Sequence, residues 1–163
     1  MPSSLELRRA LGNFATGVTV VTTQSPATAS APARDAGLTV NSFNSVSLSP
    51  PLVLWSLSRQ SKLLPAFDAA SHYAVHVLHA GQQDLAMRFA SPVNDRFAGL
   101  ELTRGAHDLP LLPDFLSRFI CRIEQRLDGG DHVILLGRVE QFDSREGAAL
   151  SYWRGRYAAI TPT

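Results

Sequence analysis

An alternation of apolar and polar residues with a period of two, the pattern of a half-buried β-strand, marks the second half of the chain. It is clearest over 119–127, where charged residues such as Arg122 and Glu124 separate apolar ones. The turn Asp128–Asp131 follows, and a further strand is predicted over 132–142. Runs rich in β-branched and apolar residues predict the remaining strands at 18–23, 37–43, 52–58, 73–78 and 150–158.

Helical spacing is confined to three short stretches. Ser3 and Glu6 have the spacing of a capping box, which predicts an opening helix with one apolar stripe that ends near Gly12. A second helix is expected over 62–70 with Ser61 as its cap, and a third over 82–90. Six or so strands with few helices and no strand–helix–strand rhythm predict a mainly β fold with short α-helices, built as an antiparallel barrel.

Two stretches lack a periodic pattern and are predicted as loops. Residues 24–36 are rich in alanine and serine, and they read as a long hairpin connection. Residues 91–114 contain prolines, glycines and short apolar pairs, and they are expected to be mostly loop.

Composition narrows the class of protein. The length of 163 residues suits one domain over residues 1–163. Only 18% of residues are charged, which indicates a buried subunit interface, most simply that of a two-fold homodimer. The net charge of +1 gives no reason to expect a nucleic acid or an anionic membrane as partner. A single cysteine, no signal-peptide core and no membrane-spanning run together predict a cytoplasmic location.

Small polar residues are concentrated in two neighbouring segments. The first, Thr39–Ser47, carries hydroxyl and amide groups, although a plain Ser/Thr-rich strand explains it better when it is taken alone. The second, Ser56–Lys62, precedes a predicted helix, and a helix N-terminus beside a cation can bind phosphate. An ordinary N-cap beside solvated charges is the alternative for this segment.

The histidines and the cysteine offer little further chemistry. His72, His76 and His79 have metal-like spacing, but no acid or cysteine completes a ligand set in the sequence, so no metal is expected. On a strand, His72 and His76 share one face and His79 points away. Cys121 is expected to be a small buried hydrophobe rather than a nucleophile.

Five ordered segments resemble one family, the short-chain flavin reductases. They are Leu11–Thr23 with its Phe-Ala-Thr-Gly-Val-Thr-Val-Val-Thr run, Thr39–Pro51, the pair Arg88–Ala90 and Asp95–Gly99, Gly130–His132, and Tyr152–Tyr157. The resemblance implies an FMN-binding split β-barrel, an antiparallel Greek-key barrel, that is usually a homodimer. It also implies an enzyme that uses NADH or NADPH to reduce FMN or FAD, and that passes the reduced flavin to a separate monooxygenase.

The resemblance further assigns candidate contacts to positions of this sequence. Those expected at the flavin are Thr39, Val40, Asn41, Ser42, Ser56, Leu57, Ser58, Ser61, Lys62, Arg88, Phe89 and Arg96. Those expected at NAD(P)H are His132, Arg154, Arg156 and Tyr157. A core role is the alternative for Phe89, a solvated turn for His132, and a dimer contact or charged edge strand for the C-terminal residues. No catalytic acid or base is assigned, because the hydride passes between stacked cofactors and the protein orients them.

Neither a Rossmann fingerprint nor a Walker loop occurs, so the nicotinamide nucleotide would bind without a domain of its own. The leading hypothesis is therefore an NAD(P)H:flavin oxidoreductase. A non-catalytic FMN-binding electron carrier or redox sensor on the same barrel is the alternative, and an oxidase of a small organic substrate, like the pyridoxamine-phosphate-oxidase-like proteins, ranks lower. Trp55 lies beside the presumed flavin segment, where it would either shape access to the ring or fill the core.

Overall fold

The computed structural model describes all 163 residues, and β-strands form most of its regular structure. The helices are α1 (Ser4–Leu11), α2 (Leu64–Ala69) and α3 (Gln83–Ala90). The strands are β1 (Thr16–Gly17), β2 (Thr19–Ser25), β3 (Arg34–Val40), β4 (Asn44–Leu48), β5 (Pro51–Ser58), β6 (His72–Val77), β7 (Thr103–Arg104), β8 (Pro110–Leu111), β9 (Ser117–Gly129), β10 (His132–Ser144), β11 (Leu150–Trp153) and β12 (Arg156–Ala159). Short 3₁₀ turns occupy Ala80–Gln82 and Ala106–Asp108.

Seven strands form the main sheet, in the order β3-β2-β6-β9-β10-β5-β4, with every neighbour antiparallel. Its principal core cluster joins Val40 near one edge to Trp55 near the other, with Tyr73 and Cys121 between them. Side chains from both flanks of a sheet meet in one cluster only when the sheet curls round them. The predicted mainly β barrel fold with short helices is confirmed.

A second, smaller sheet has the order β1-β11-β12. The single strand predicted over 150–158 is wrong, because the chain reverses at Arg154 and Gly155, with φ of 48° and 77°, and forms the β11–β12 hairpin. Gly155 was the sequence signal for this turn, since glycine adopts positive φ at no steric cost.

The other differences from the sequence prediction concern strand boundaries. The loop predicted over 24–36 shrinks to 26–33, because Gln24–Ser25 and Arg34–Ala36 pair in the β2–β3 ladder. The edge strand β4 was not predicted, and the strand count is twelve rather than about six. The short strands β1, β7 and β8 carry no periodic pattern, so only their partners define them.

The predicted helices are present with two corrections. The capping box of Ser3 and Glu6 opens α1 as expected, but none of the residues of α1 is buried, so its apolar stripe faces away from the core. Ser61 is not the cap of α2, whose N-cap is Leu63; the Ser61 hydroxyl instead accepts a hydrogen bond from the backbone N–H of Leu63 at 3.2 Å. No helix is long and apolar enough to cross a membrane.

The β9–β10 pair has two register shifts. Glu124 of β9 is the extra residue between the Leu136 and Gly137 pairs, and Glu140 of β10 is the extra residue between the Val139 and Gln141 pairs. Such bulges bend the strand and change the direction in which side chains point. An added Cβ at Gly137 would overlap with the Tyr73 hydroxyl, so a residue without a side chain is required at the first bend.

Candidate functional site

A polar cavity of about 610 Å³ opens between the end of β3 and the face formed by the second half of β5 and the start of β10. This volume lies in the range of small-molecule and cofactor sites. Eight of the residues expected at the flavin line it: Thr39, Val40, Asn41, Ser42, Ser56, Leu57, Ser58 and Ser61. His132, expected at the nicotinamide nucleotide, lines the same cavity.

Strand pairing explains why these distant segments meet. His132 on β10 lies opposite Ser58 on β5, and Ile134 lies opposite Ser56. Directly opposed residues project from the same face of a sheet, so these four side chains share one face of the β5–β10 pair. The alternate residues of β5, which include Trp55, are buried in the core on the other face. Trp55 therefore fills the core rather than shaping access to the cavity.

Ser42 joins two walls of the cavity. The backbone N–H of Ser56 donates to Ser42 Oγ at 2.9 Å, and that hydroxyl donates to the Ser56 carbonyl oxygen at 3.3 Å. The Thr39 hydroxyl donates to the carbonyl oxygen of Ala86 on α3 at 2.6 Å. These two hydroxyls are thus committed to positioning the walls, whereas no hydrogen bond within the chain occupies the side chain of Asn41, which is exposed.

His132 is held at the edge of the cavity by the β9–β10 turn. Its Nδ1 lies 2.7 Å from Asp131 Oδ1, and this hydrogen bond lowers the pKa of the Asp131 carboxyl. Arg59 holds the same turn to the end of β5: its Nε donates to the Gly130 carbonyl oxygen at 2.8 Å, and a second nitrogen pairs with Asp128 at 2.7 Å. The arrangement leaves Nε2 of His132 free of partners within the chain.

A second cavity of about 470 Å³ shares Ser61 with the first and contains Lys62 and Arg96. Lys62 is exposed and makes no hydrogen bond or ion pair within the chain, so its ammonium group is available to a ligand. Arg96 is committed to the fold, since its guanidinium donates to the carbonyl oxygens of Ser91 and Gly37. Ser61 therefore links a hydroxyl-rich cavity to one with a free cation.

Two residues expected at the flavin, Arg88 and Phe89, line neither of these two cavities. Phe89 is completely buried, packs edge-to-face on Phe97 and lies directly under Gly37, so its alternative role in the core is the one the structure shows. Arg88 donates to the carbonyl oxygens of Arg96 and Ala98 and so shapes the loop after α3. Both belong to the Arg88–Ala90 segment that carries the family resemblance, and the packing and hydrogen bonds of α3 place their side chains away from the cavity.

The C-terminal residues expected at NAD(P)H also lie apart from His132 within one chain. Arg154 faces a different cavity beside α1 and donates to Asn13 Oδ1 at 2.8 Å. Tyr157 is half-buried against Tyr152 in the smaller core cluster, and Arg156 is exposed on β12. These residues belong to the small sheet, so a single chain does not unite them with the His132 cavity.

Sequence reasoning missed three residues that line the cavity: Leu38, Gly129 and Ile134. Ile134 could have been predicted from the sequence, because it is two positions after His132 on a strand and therefore lies on the same face of the sheet. Gly129 carried no such signal, since only the pairing of β9 with β10 brings the end of β9 to this cavity. Leu38 directly precedes Thr39 on β3, but its residue type did not mark it as a contact.

The three histidines considered as metal ligands have three different environments. His76 is fully buried, with Nδ1 at 3.1 Å from the Val20 carbonyl oxygen and Nε2 accepting from the Leu112 N–H. His79 caps a 3₁₀ turn and pairs with Asp114 at 2.6 Å. His72 instead approaches two residues that are distant in sequence, His107 and Glu140. No acid lies beside these histidines in the sequence, whereas the structure places Glu140 Oε2 3.3 Å from Nε2 of His72.

Cys121 is buried in the main core cluster, as predicted. Burial raises the pKa of its thiol to about 12, so the thiolate needed for nucleophilic chemistry does not form near neutral pH.

A curled antiparallel barrel with a polar, nucleotide-sized cavity at its strand ends defines the class of the FMN-binding split barrels. Comparison with known proteins identifies the family. Residues 11–161 match the model of the flavin reductase like domain, and the chain belongs to this family.

Named relatives agree with the family. The chain is 44% identical over 160 residues to the FMN reductase (NADH) SmoA of Agrobacterium fabrum, covering 98% of this chain and 87% of SmoA. It is 43% identical to the reductase component of the flavin-dependent trigonelline monooxygenase of Acinetobacter baylyi, covering 93% of this chain but only 47% of that protein. Some of the relatives are thus much longer than this chain.

A solved structure extends the similarity to three dimensions. The NADH:FAD oxidoreductase SgcE6 of Streptomyces globisporus C-1027, in complex with NAD and FAD fragments, superposes with a TM-score of 0.86 at 36% identity. The match covers 97% of this chain and 93% of SgcE6. The split-barrel fold expected from the sequence is confirmed.

Proposed function

We propose that the chain is an NAD(P)H:flavin oxidoreductase that acts as a single domain over residues 1–163. The observation that carries the proposal is one cavity that unites Thr39–Ser42, Ser56–Ser58 and His132, within a member of the flavin reductase family. The name of SmoA includes NADH and FMN, and SgcE6 is described with NAD and FAD fragments, which supports FMN or FAD as the flavin and NADH or NADPH as the donor.

The residues of the cavity fit a flavin. Exposed Asn41 offers an amide to a ring edge, and Leu38 and Ile134 offer apolar surface to the dimethylbenzene end. Ser61 and the unpartnered ammonium of Lys62 lie where the first cavity meets the second, and we assign the flavin phosphate to them. This assignment does not use the N-terminus of α2, which has only six residues and begins after Lys62.

His132 is assigned to the nicotinamide nucleotide. Its Nδ1 is engaged by Asp131, which orients the ring and leaves Nε2 directed to a ligand. Arg59 acts through the turn that carries His132, and it is therefore a positioning residue.

A bound flavin supplies the hydride-accepting ring, so the protein needs to orient two nucleotides and keep them in contact. The cavity matches this task, because its walls are joined by the Ser42 hydrogen bonds and it holds no carboxylate or cysteine among its lining residues. The side chains bind and orient, and none is required to transfer a proton.

The wider biology of the chain is part of the same proposal. We expect a homodimer, in which Arg154, Arg156 and Tyr157 contact the partner chain or the cavity of that partner. We expect the reduced flavin to pass to a separate flavin-dependent monooxygenase, because the Acinetobacter relative is named as a reductase component. A cytoplasmic location is expected from the single cysteine, which is buried and reduced.

The direct test mixes the purified chain with NADH or NADPH and with FMN or FAD, and follows the nicotinamide absorption band. Flavin-dependent oxidation of at least one donor is expected. Binding of flavin without oxidation of either donor would favour the electron carrier. A chain that neither binds flavin nor oxidises a donor would have no flavin site.

Variants locate the activity. His132→Ala is expected to raise KM for the nicotinamide nucleotide while the flavin Kd is retained, and Lys62→Ala is expected to raise the flavin Kd. His79→Asn replaces a histidine outside the cavity and is the matched control.

A further inference from the structure

The cavity proposed for the flavin ring and the second cavity of about 470 Å³ meet at Ser61, which lines both. Lys62 lines only the second cavity, and its ammonium group has no partner in the chain. A flavin phosphate held by these two residues lies at the junction of the cavities. FMN ends at this phosphate, whereas FAD continues through a second phosphate and a ribose to adenine. The second cavity therefore lies where the additional half of FAD begins.

Three segments that are distant in sequence line the second cavity. They are residues 35–37 of β3, residues 61–63 before α2, and residues 92–97 after α3. The volume of about 470 Å³ is within the range of sites for small molecules and cofactors, so a nucleoside with its phosphate can be accommodated.

Two arginines hold the loop after α3 in place. The guanidinium of Arg96 donates to the Ser91 carbonyl oxygen at 3.1 and 2.8 Å and to the Gly37 carbonyl oxygen of β3 at 2.8 Å. From α3, Arg88 donates to the carbonyl oxygen of Arg96 at 2.7 Å and to that of Ala98. The loop therefore has its shape before a ligand arrives, which lowers the entropic cost of binding.

The end of the same loop is anchored in the core. Phe97 packs edge-to-face on the buried Phe89, with ring centroids 5.1 Å apart. A Cβ added at Gly37 would lie 2.9 Å from the Phe97 ring, so the close approach of the loop to β3 requires glycine there. These contacts give the two arginines and the two phenylalanines of the matched segments a shared role, because together they build one wall of the second cavity.

The charges around the second cavity suit a diphosphate. Lys62 contributes a free cation, and the guanidinium of Arg96 adds a second positive charge to the lining. The carboxylate of Asp35 is neutralised by Arg104, which donates to both of its oxygens at 2.6 and 2.7 Å. The attraction of the two cations for phosphate is therefore not offset by Asp35.

The exposed part of the loop offers groups that fit a nucleoside. Val93 is 50% exposed and, with Pro92, provides apolar surface for a flat base. The side-chain amide of Asn94 has no partner in the chain and can both donate to and accept from the edge of adenine. Oδ1 of Asp95 accepts from the Phe97 N–H at 3.0 Å, which leaves Oδ2 for a ribose hydroxyl.

We propose that the second cavity binds the adenosine monophosphate half of FAD, so that the chain binds FAD in preference to FMN, with Val93 and Asn94 as specificity-determining residues. The inference rests on the proposed function, because it starts from the flavin phosphate at Ser61 and Lys62. NAD(P)H also carries adenosine, but His132 and the neighbouring Gly129 line only the first cavity. Continuity through Ser61 therefore favours FAD as the occupant.

The test titrates the purified full chain with FMN and with FAD in the absence of a nicotinamide donor, and follows the quenching of flavin fluorescence. The wild type is expected to bind FAD at least about tenfold more tightly than FMN, because only FAD fills both cavities. FMN serves as the internal reference, since its binding reports on the first cavity and the phosphate junction alone.

Two variants and one control assign the preference to the second cavity. Val93→Ser and Asn94→Ala are each expected to raise the FAD Kd about threefold or more and to leave the FMN Kd unchanged, and the double variant is expected to bind both flavins about equally. Met87→Ser replaces an exposed apolar residue of α3 outside both cavities, and it is expected to keep the preference of the wild type. Circular dichroism checks that each variant folds.

Several results would overturn the inference. Equal Kd values for FMN and FAD in the wild type would reject it while leaving the flavin site intact, and so would variants that change both Kd values by the same factor. A raised KM for the nicotinamide donor with FMN as acceptor, together with an unchanged FAD Kd, would assign the second cavity to that donor. Binding of neither flavin would reject the proposed function and this inference together.

Discussion

His76 shows how a single residue can be satisfied in the core without solvent. Nδ1 donates to the Val20 carbonyl oxygen, and Nε2 accepts from the backbone N–H of Leu112. These contacts fix one neutral tautomer. Burial lowers the pKa of His76 to about 3; the Val20 bond opposes this shift and the charge of Arg118 adds to it. A sequence pattern places the residue on a strand, but only the packing shows that it remains uncharged.

The free energy of unfolding is expected to fall as the pH drops below about 6.5, because His76 takes up a proton only when the chain unfolds. The folded pKa is depressed, so this contribution is complete above the unfolded pKa and is lost on the acid side. One such group changes the free energy of unfolding by at most about 1.4 kcal/mol per pH unit.

Urea unfolding of the wild type and of His76→Gln, between pH of about 6.5 and about 5, measures this contribution. The variant is expected to show the shallower pH dependence. Equal slopes in the two proteins would contradict a neutral buried imidazole.

Gly137 is a second residue whose identity is dictated by a close contact. Gly137→Ala places a methyl group against the hydroxyl of Tyr73 and beside Cys121 in a packed core. The expected loss is about 1–3 kcal/mol in the free energy of unfolding, typical of overpacking. Gly17→Ala is the control, since a Cβ at Gly17 meets no atom within 4 Å.

A double variant separates this clash from a backbone effect. The Tyr73 hydroxyl is buried without a hydrogen-bond partner, so Tyr73→Phe removes the overlapping atom at little cost. Tyr73→Phe is expected to restore part of the stability of Gly137→Ala, measured by urea unfolding. If the double variant loses as much free energy of unfolding as the two single variants together, the destabilisation by alanine comes from the backbone of the strand and not from the Tyr73 hydroxyl.

At the scale of elements, the β9–β10 hairpin and the end of β5 position His132. Alternation of apolar and polar residues predicted both long strands, and the Asp128–Asp131 segment predicted the turn between them. Burial alternates in the first half of β10, whereas in β9 the adjacent residues Ile120 and Cys121 are both buried, one on each face of the sheet. It did not predict that Arg59 would hold the turn from the side, since a contact across 69 residues has no local pattern.

Arg59→Ala is expected to raise KM for the nicotinamide nucleotide by up to about fivefold, with a smaller effect on kcat, because an exposed ion pair contributes about 1 kcal/mol or less. Steady-state kinetics with saturating flavin provide the measurement. Arg34→Ala, which removes an exposed arginine of β3 with no side-chain partner, is the control. A KM unchanged by Arg59→Ala would mean that the turn holds its shape unaided.

At the scale of the whole molecule, the chain exposes large apolar side chains that one protomer does not cover. Phe142 is 70% exposed and follows Phe119 and Phe43 in a row of aromatic rings on the main sheet. Leu11 and Phe14 are similarly exposed at and beyond the end of α1. Exposed apolar groups of this size mark interaction surfaces, which supports the proposed homodimer.

Phe142→Glu is expected to dissociate the dimer. Burial of one phenylalanine contributes about 1.5–3 kcal/mol, and a two-fold interface counts it twice, so the dimer Kd should rise by a factor of roughly a hundred or more. Sedimentation velocity compares the wild type with Phe142→Glu, and with Met87→Glu as an exposed apolar control on α3. A dimer that persists in Phe142→Glu would exclude the aromatic row from the interface.

The sequence by itself determined six of the seven strands of the main sheet, the capped opening helix, the family and most of the residues that line the main cavity. These properties follow from local periodicity and from ordered motifs, both of which depend only on residues that are close in sequence. Only the tertiary structure shows which distant residues are in contact. Phe89 is buried in the core, Arg154–Tyr157 lie in the small sheet, and His72 lies beside His107 and Glu140. Such meetings depend on strand order, bulges and packing between distant segments, and these interactions leave no periodic trace in the sequence.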